Sequence, residues 1–284
     1  MTASLSASAI AARRRAFREL HAAGCFVIPN PWDVGSARYL ASQGFMALAT
    51  TSAGLAWSLG RPDGALSRDA VLAHLREIAA ATELPLNADF ENGFGDTPAA
   101  VAESVRLAVA TGVAGLSIED ATGDPARPIH DLATAVDRLR AARGAIDAAG
   151  GDTLLIGRAD NFVHGRPDLA DTLARLRAYA DAGADCLYAP GLRSREEIAA
   201  AVAAVAPRPL NVLAGNAASP GVPELAALGV RRVSVGGALA RAAWGGFMRA
   251  TRGIAEHGSF DGLADGAPGA TLNAMFDEPP AAAN

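Results

Sequence analysis

The chain has 284 residues, half of them hydrophobic, with a net charge of -5, and all 25 of its basic residues are arginine. Without lysine it can form no Schiff base with a substrate or with pyridoxal phosphate, and it has no P-loop lysine. The acidic balance speaks against a nucleic-acid partner, the short apolar runs against a membrane span, and two cysteines, Cys25 and Cys186, against a disulfide framework.

Residues 1–9 are small and polar and read as a flexible N-terminus. Arg13, Arg14 and Arg15 precede no apolar stretch of signal-peptide type, so a cytoplasmic protein is expected. A helix is expected over 10–23 and a first strand over Cys25–Ile28, ending at Pro29-Asn30-Pro31-Trp32-Asp33. After a helix over 34–43, a strand over Phe45–Ala49 opens into a loop, Thr50-Thr51-Ser52-Ala53-Gly54. Ser67 is a good N-cap for a helix to about Ala81. The third strand, from Leu86, runs into Asn87-Ala88-Asp89-Phe90-Glu91-Asn92-Gly93. Further strands are expected over 113–118, 153–157, 185–189, 210–213 and 232–235, each followed by a helical stretch. Residues 258–284 read as an irregular tail, with a short helix near 271–276 and disorder at Pro279-Pro280.

Eight strand–helix units in strict alternation, with short apolar strands, predict a single (β/α)8 TIM barrel over 10–257. The rival, a doubly wound sheet, lacks a glycine-rich dinucleotide fingerprint after the first strand. In such barrels the active site sits at the C-terminal strand ends. Those ends carry Thr51 and Ser52; Asn87, Asp89 and Glu91; Glu119 and Asp120; Arg158, Asp160 and Asn161; Tyr188; Asn211; and Ser234. If the third strand persists, alternation puts Asn87, Asp89 and Glu91 on one face. Carboxylates and an amide there suit a hard cation with oxygen ligands, and Arg158 suits an anionic substrate. The competing reading is solvated loop acids.

Four segments resemble the phosphoenolpyruvate mutase/isocitrate lyase superfamily. They are Thr51-Ser52-Ala53-Gly54 with Gly60-Arg61-Pro62-Asp63, Asn87-Ala88-Asp89 with Gly93-Phe94-Gly95, Ser117-Ile118-Glu119-Asp120, and Gly157-Arg158-Ala159-Asp160. The resemblance spans about residues 15–260. It implies a barrel whose last helix is often exchanged between subunits, hence a homo-oligomer, dimer or tetramer. It also implies a Mg²⁺-dependent enzyme (with Mn²⁺ as the other candidate ion) that cleaves or decarboxylates small 2-oxo or hydroxy (di)carboxylic acids through an enolate. Carried over, Thr51, Ser52 and Ala53 bind a small carboxylate substrate, and Asn211, at the end of the seventh strand, is a further candidate for it by position. Asp63, Asp89, Glu119 and Asn87 serve the metal. Arg158 binds substrate oxygens, and Glu119 or Glu91 moves protons.

The departures narrow the reaction. Asn87 stands where the family usually has a metal-binding Asp, and Glu91 is the candidate to compensate. The loop Ala121–His130 carries neither the Lys-Lys-Cys-Gly-His run of the isocitrate and methylisocitrate lyases nor the lysine and asparagine of the mutases. This loop is a candidate lid, and its His130, like His164, a candidate proton carrier. His21, His74 and His257 read as surface residues, Trp32 as core packing, and the two cysteines as inert thiols. Gly215 and Gly236-Gly237, with Arg241, leave a phosphorylated substrate and mutase or hydrolase chemistry as the second reading. A barrel that only binds is the third.

Overall fold

The computed structural model describes residues 5–277. Eight parallel strands form one sheet: β1 (Phe26–Ile28), β2 (Leu48–Ala49), β3 (Leu86–Asp89), β4 (Gly115–Glu119), β5 (Leu154–Arg158), β6 (Cys186–Tyr188), β7 (Leu210–Leu213) and β8 (Arg232–Ser234). Strands β2 to β8 pair in sequence order, and β8 pairs back to β1. The remaining seam lies between β1 and β2. There the Ala49 N–H donates to the Pro29 carbonyl (3.0 Å), and the Asn30 side chain donates to the Thr50 carbonyl (2.9 Å). The sheet is thus a barrel, closed at its seam by a few bonds.

The outer helices include α2 (Val34–Ser42), α4 (Arg68–Ala81), α5 (Pro98–Val109), α6 (Leu132–Ala148), α7 (Leu169–Asp181) and α8 (Arg195–Val205). Each begins at a side-chain N-cap: Asp33, Ser67, Thr97, Asp131, Asp168 and Ser194. Such caps satisfy N–H groups that the helix cannot. Their apolar faces bury Leu75, Val105, Leu139, Leu176 and Ile198 against the strands.

The N-terminal helix α1 (Ala7–Ala22) starts three residues before the predicted position, capped by Ser6. It covers the N-terminal end of the barrel. Arg14 donates to the carbonyls of Val109 and Val113, and Arg13 to that of Ala79. Phe17 is fully buried. Burying such a side chain stabilises the fold by roughly 1.5–3 kcal/mol. It fits because β4 begins with glycine: a Cβ on Gly115 would lie 2.6 Å from the Phe17 ring. This position also corrects His21, which is buried rather than on the surface, its Nδ1 2.7 Å from the Phe17 carbonyl oxygen. His74 is likewise buried, on α4, whereas His257 is exposed.

A further helix replaces the loop expected after β2. Thr51 caps α3 (Ser52–Ser58), accepting the Gly54 N–H. Gly54 is required for packing: a Cβ there would meet Thr51 Cγ2 at 2.7 Å and Trp32 Cβ at 2.8 Å. After α9 (Val222–Ala227), the helix α10 (Ala238–His257) leads to a 3-10 turn (Asp261–Leu263) and to α11 (Gly269–Asp277), longer than the short helix expected there. The Pro279-Pro280 tail lies outside the described residues. Among these, no helix is long and apolar enough to cross a membrane.

Candidate active site

The residues at the C-terminal strand ends line one cavity of about 620 Å³, within the usual range for small-molecule sites. Five of its lining residues are acids: Asp63, Asp89, Glu91, Glu119 and Asp160. Two are arginines, Arg158 and Arg232.

Arg158, the last residue of β5, lies in register with Glu119 on β4 and Tyr188 on β6. Its Nε and Nη2 donate to the two carboxylate oxygens of Asp160 (2.6 and 2.8 Å). Its Nη1 reaches Glu119 Oε2 (2.9 Å) and Asp89 Oδ1 (3.3 Å). The guanidinium lies over the Tyr188 ring, 5.3 Å from its centre. Burial pulls its pKa down, but Asp160 and Glu119 raise it further, so it stays charged.

Asp160 is itself held from behind. Its N–H donates to Asp120 Oδ1 (2.8 Å), while Asp120 Oδ2 accepts from Arg175 (3.1 Å) and Tyr179 (2.5 Å), both on α7. Asp120, placed at a strand end without a role, is thus the buried anchor of the Arg158 seat.

Asp89, the last residue of β3, accepts the Ser52 N–H at Oδ2 (2.9 Å), and its own N–H donates to the Thr50 hydroxyl (2.9 Å). The start of α3 and the end of β3 are therefore locked together. Strand β3 stops at Asp89, so alternation does not deliver Glu91 to the site. A positive φ of 47° does: the chain turns at Glu91, whose side chain lines the same cavity. The Glu91 carbonyl accepts the Glu119 N–H (3.0 Å). Asp63 lies at the exposed rim and accepts the Gly64 N–H (3.1 Å).

Burial, then the charges of Asp89 and Asp63, push the Glu91 carboxyl up to about 7. Burial likewise holds Glu119 well above the ordinary range, despite its contact with Arg158. The cluster carries more negative charge than its arginines balance. Because the ionised form of Glu91 is the disfavoured one, folded-state stability falls as pH rises from about 4.5 to about 7. Glu91→Gln removes that penalty. In chelator the variant is expected to melt higher than wild type at pH 8, with the gain shrinking towards pH 5. An equal gain at both pH values would contradict the assignment.

Two predicted site residues lie deeper in the barrel, Asn87 lining the cavity and Asn211 outside its lining. Asn87 lies one inward position below Asp89, and its Oδ1 faces Arg232 Nη1 (3.4 Å). Asn211 accepts from Arg232 Nε (2.9 Å) and donates to Ser234 Oγ (2.9 Å), and it does not line the cavity. Both amides serve the buried Arg232, whose positive charge explains why a neutral oxygen at Asn87 is oriented towards it. Of the two loop histidines, His164 lines the cavity. His130 instead presents its N–H to the Asp120 carbonyl and its carbonyl to Arg175. The loop 121–130 is sewn together by Thr122, which accepts from Asp124 N–H and donates to the Arg127 carbonyl. Of the glycines that are candidates for phosphate, Gly236 donates its N–H to Asn30 Oδ1 (2.8 Å), as does its neighbour Val235 (3.0 Å). Asn30 was missed as a site residue because its partners lie 205 and 206 residues away.

A parallel (β/α)8 barrel with its charged residues gathered at the C-terminal mouth is the architecture of a barrel enzyme. The chain belongs to the phosphoenolpyruvate phosphomutase family, whose model matches residues 17–255, and so to the phosphoenolpyruvate mutase/isocitrate lyase superfamily. A protein provisionally described as a lyase/mutase, from Burkholderia cenocepacia J2315, has a solved structure with 51% identity, a TM-score of 0.93 and coverage of 96% of this chain and 99% of its own. A solved oxaloacetate acetylhydrolase holding its product oxalate is 30% identical, with a TM-score of 0.83 and coverage of 93% and 94%. The oxaloacetate decarboxylase of Bradyrhizobium sp. (strain BTAi1) is 31% identical over 79% of this chain and 77% of its own. Superfamily members are enzymes, lyases or mutases, and relatives of this chain are lyases and decarboxylases of small carboxylic acids.

Proposed function

We propose that the protein is a carbon–carbon lyase or decarboxylase for a small 2-oxo or hydroxy (di)carboxylic acid, working with Mg²⁺ (Mn²⁺ as the alternative) through an enolate. The observation that carries this reading is the seat of Arg158. A charged guanidinium is fixed by Asp160 and faces Asp89 and Glu119 in a cavity with excess carboxylates.

The donor set fits a hard cation, since Asp63, Asp89 and Glu91 offer only carboxylate oxygens. Among the described residues, no three His, Cys, Asp or Glu converge closely enough to enclose a bare ion. Mg²⁺ held by these carboxylates would therefore keep several waters and take substrate oxygens. Bound there, the ion would act as a Lewis acid towards the oxygen on which enolate charge develops. The residues do the rest. Thr51, Ser52 and Ala53, at the start of α3, receive the substrate carboxylate. Arg158 stabilises the growing negative charge, already oriented before the bond breaks. Glu119, held at a raised pKa, carries the proton for a hydroxy acid or returns one to the enolate carbon.

Mutase chemistry on a phosphorylated substrate is the weaker reading, because Asn30 already takes the Gly236 N–H, one of the backbone donors it would use. Exposed Trp244, Phe247 and Met248 on α10, followed by Phe260 and Leu263, support a homo-oligomer with the last helix exchanged. The test of function is a panel of 2-oxo and hydroxy diacids assayed for pyruvate, glyoxylate or CO₂. Release abolished by chelator and by Asp89→Ala is expected. No turnover, together with no Mg²⁺ binding, would leave a barrel that only binds.

A further inference from the structure

Glu91 sits on a loop whose backbone is unusual. Glu91 (φ 47°) and Phe94 (φ 50°) are the only non-glycine residues with positive φ among the described residues, and Gly93 between them is also positive (φ 83°). Such a conformation persists only where its surroundings hold it, and it clusters at functional sites.

What holds it comes from the outer helix layer. Arg138 lies on α6, 2% exposed. Its Nη1 donates to the Gly95 carbonyl and its Nη2 to the Asn92 carbonyl, both at 2.7 Å, while its Nε has no partner. The two carbonyls lie three residues apart, so the guanidinium staples the loop across the turn that follows Glu91. A planar fork can satisfy both at once, and an ammonium cannot match it. Two further bonds brace the same turn: Phe94 N–H to Asn92 Oδ1 (3.0 Å) and Ser104 Oγ to the Phe94 carbonyl (3.3 Å). A Cβ on Gly95 would sit 2.7 Å from the backbone at Ala100, so the loop is also pressed against α5. Burying a charge to hold two carbonyls is a costly way to make a surface turn, and a reasonable way to fix a carboxyl.

We propose that Arg138 is a positioning residue that sets the Glu91 carboxyl at the cation site, acting through the loop it clasps. The inference rests on the Mg²⁺ site proposed above. Groups that orient metal-binding side chains from behind contribute about 10–100-fold in metal affinity.

The test is Mg²⁺ binding to the full chain by calorimetry. It compares wild type, Arg138→Lys, Arg138→Met, Glu91→Gln and the double variant Glu91→Gln/Arg138→Lys, with a thermal melt of each. Arg138→Lys keeps the charge and the stem, so it carries the test if Arg138→Met does not fold. Either Arg138 variant is expected to bind Mg²⁺ about tenfold or more weakly. In the Glu91→Gln background the same change is expected to cost less than about twofold, because its effect passes through Glu91. A merely structural arginine would lower the melting temperature without that non-additivity. Equal affinity in wild type and Arg138→Lys, or losses that multiply in the double variant, overturns the inference alone. Wild type that binds no Mg²⁺ overturns the metal site as well.

Discussion

Arg158→Met is expected to lower kcat by at least about 10²–10³-fold, the loss seen when one oriented donor to a developing oxyanion is removed. The effect on stability is expected to be large too. Asp160, 2% exposed, is held by both guanidinium nitrogens facing it. Breaking one partner of such a pair destabilises by about 3–5 kcal/mol. Arg158→Lys does not rescue, because an ammonium cannot hold Asp160 with a fork and reach Glu119 and Asp89 as well. Mg²⁺ binding at the proposed site is expected to be retained in both variants, since the guanidinium competes with a cation for Asp89 and Glu119. Steady-state kinetics, a thermal melt and a Mg²⁺ titration separate these effects. Turnover within tenfold of wild type would remove Arg158 from the chemistry.

Asp120→Ala is the second large effect, and it acts from behind the site. The substitution takes the acceptor from Asp160 N–H, Arg175 and the Tyr179 hydroxyl together. Arg175 keeps Asp171 and the His130 carbonyl, but the Tyr179 hydroxyl loses its acceptor in a buried position. The expected loss is about 3–5 kcal/mol, or roughly 10 °C in melting temperature for a domain of this size. Turnover falls as well, because the backbone that seats Asp160, and through it Arg158, loses its anchor. An unchanged melt would contradict this reading of the network.

Much of the barrel was legible because each strand is a short apolar run with a helix start signal soon after it, and both are local features. Asp89, Glu119 and Arg158 were legible for the same reason: each ends its strand, and the fold class says where strand ends point. Depth inside the barrel was not legible. Asn87 and Asn211 face inward as alternation requires, yet both serve Arg232, whose position depends on the β7–β8 register. Glu91 was anticipated at the site, but by a strand that stops two residues short of it. A positive φ does the work, and nothing in the glutamate itself announces one. The helix α3 looked like a loop because Gly54 reads as a breaker; the glycine is there for lack of room beside Trp32. His21 was misplaced because α1 covers the barrel end, which buries a polar position that an ordinary outer helix would expose.

The pairing of Arg158 with a cation on the Asp89 and Glu91 carboxyls can be tested without knowing the substrate. Oxalate is a planar dianion that resembles the enolate of a 2-oxo acid, so its affinity reads the site directly. Measured by calorimetry, oxalate is expected to bind wild type in Mg²⁺ at least about a hundredfold tighter than in chelator, to lose that gain in Asp89→Ala, and to bind Arg158→Met more weakly than wild type in Mg²⁺ and in chelator alike. Equal oxalate affinity with and without Mg²⁺, or full affinity in Arg158→Met, would contradict the proposed site.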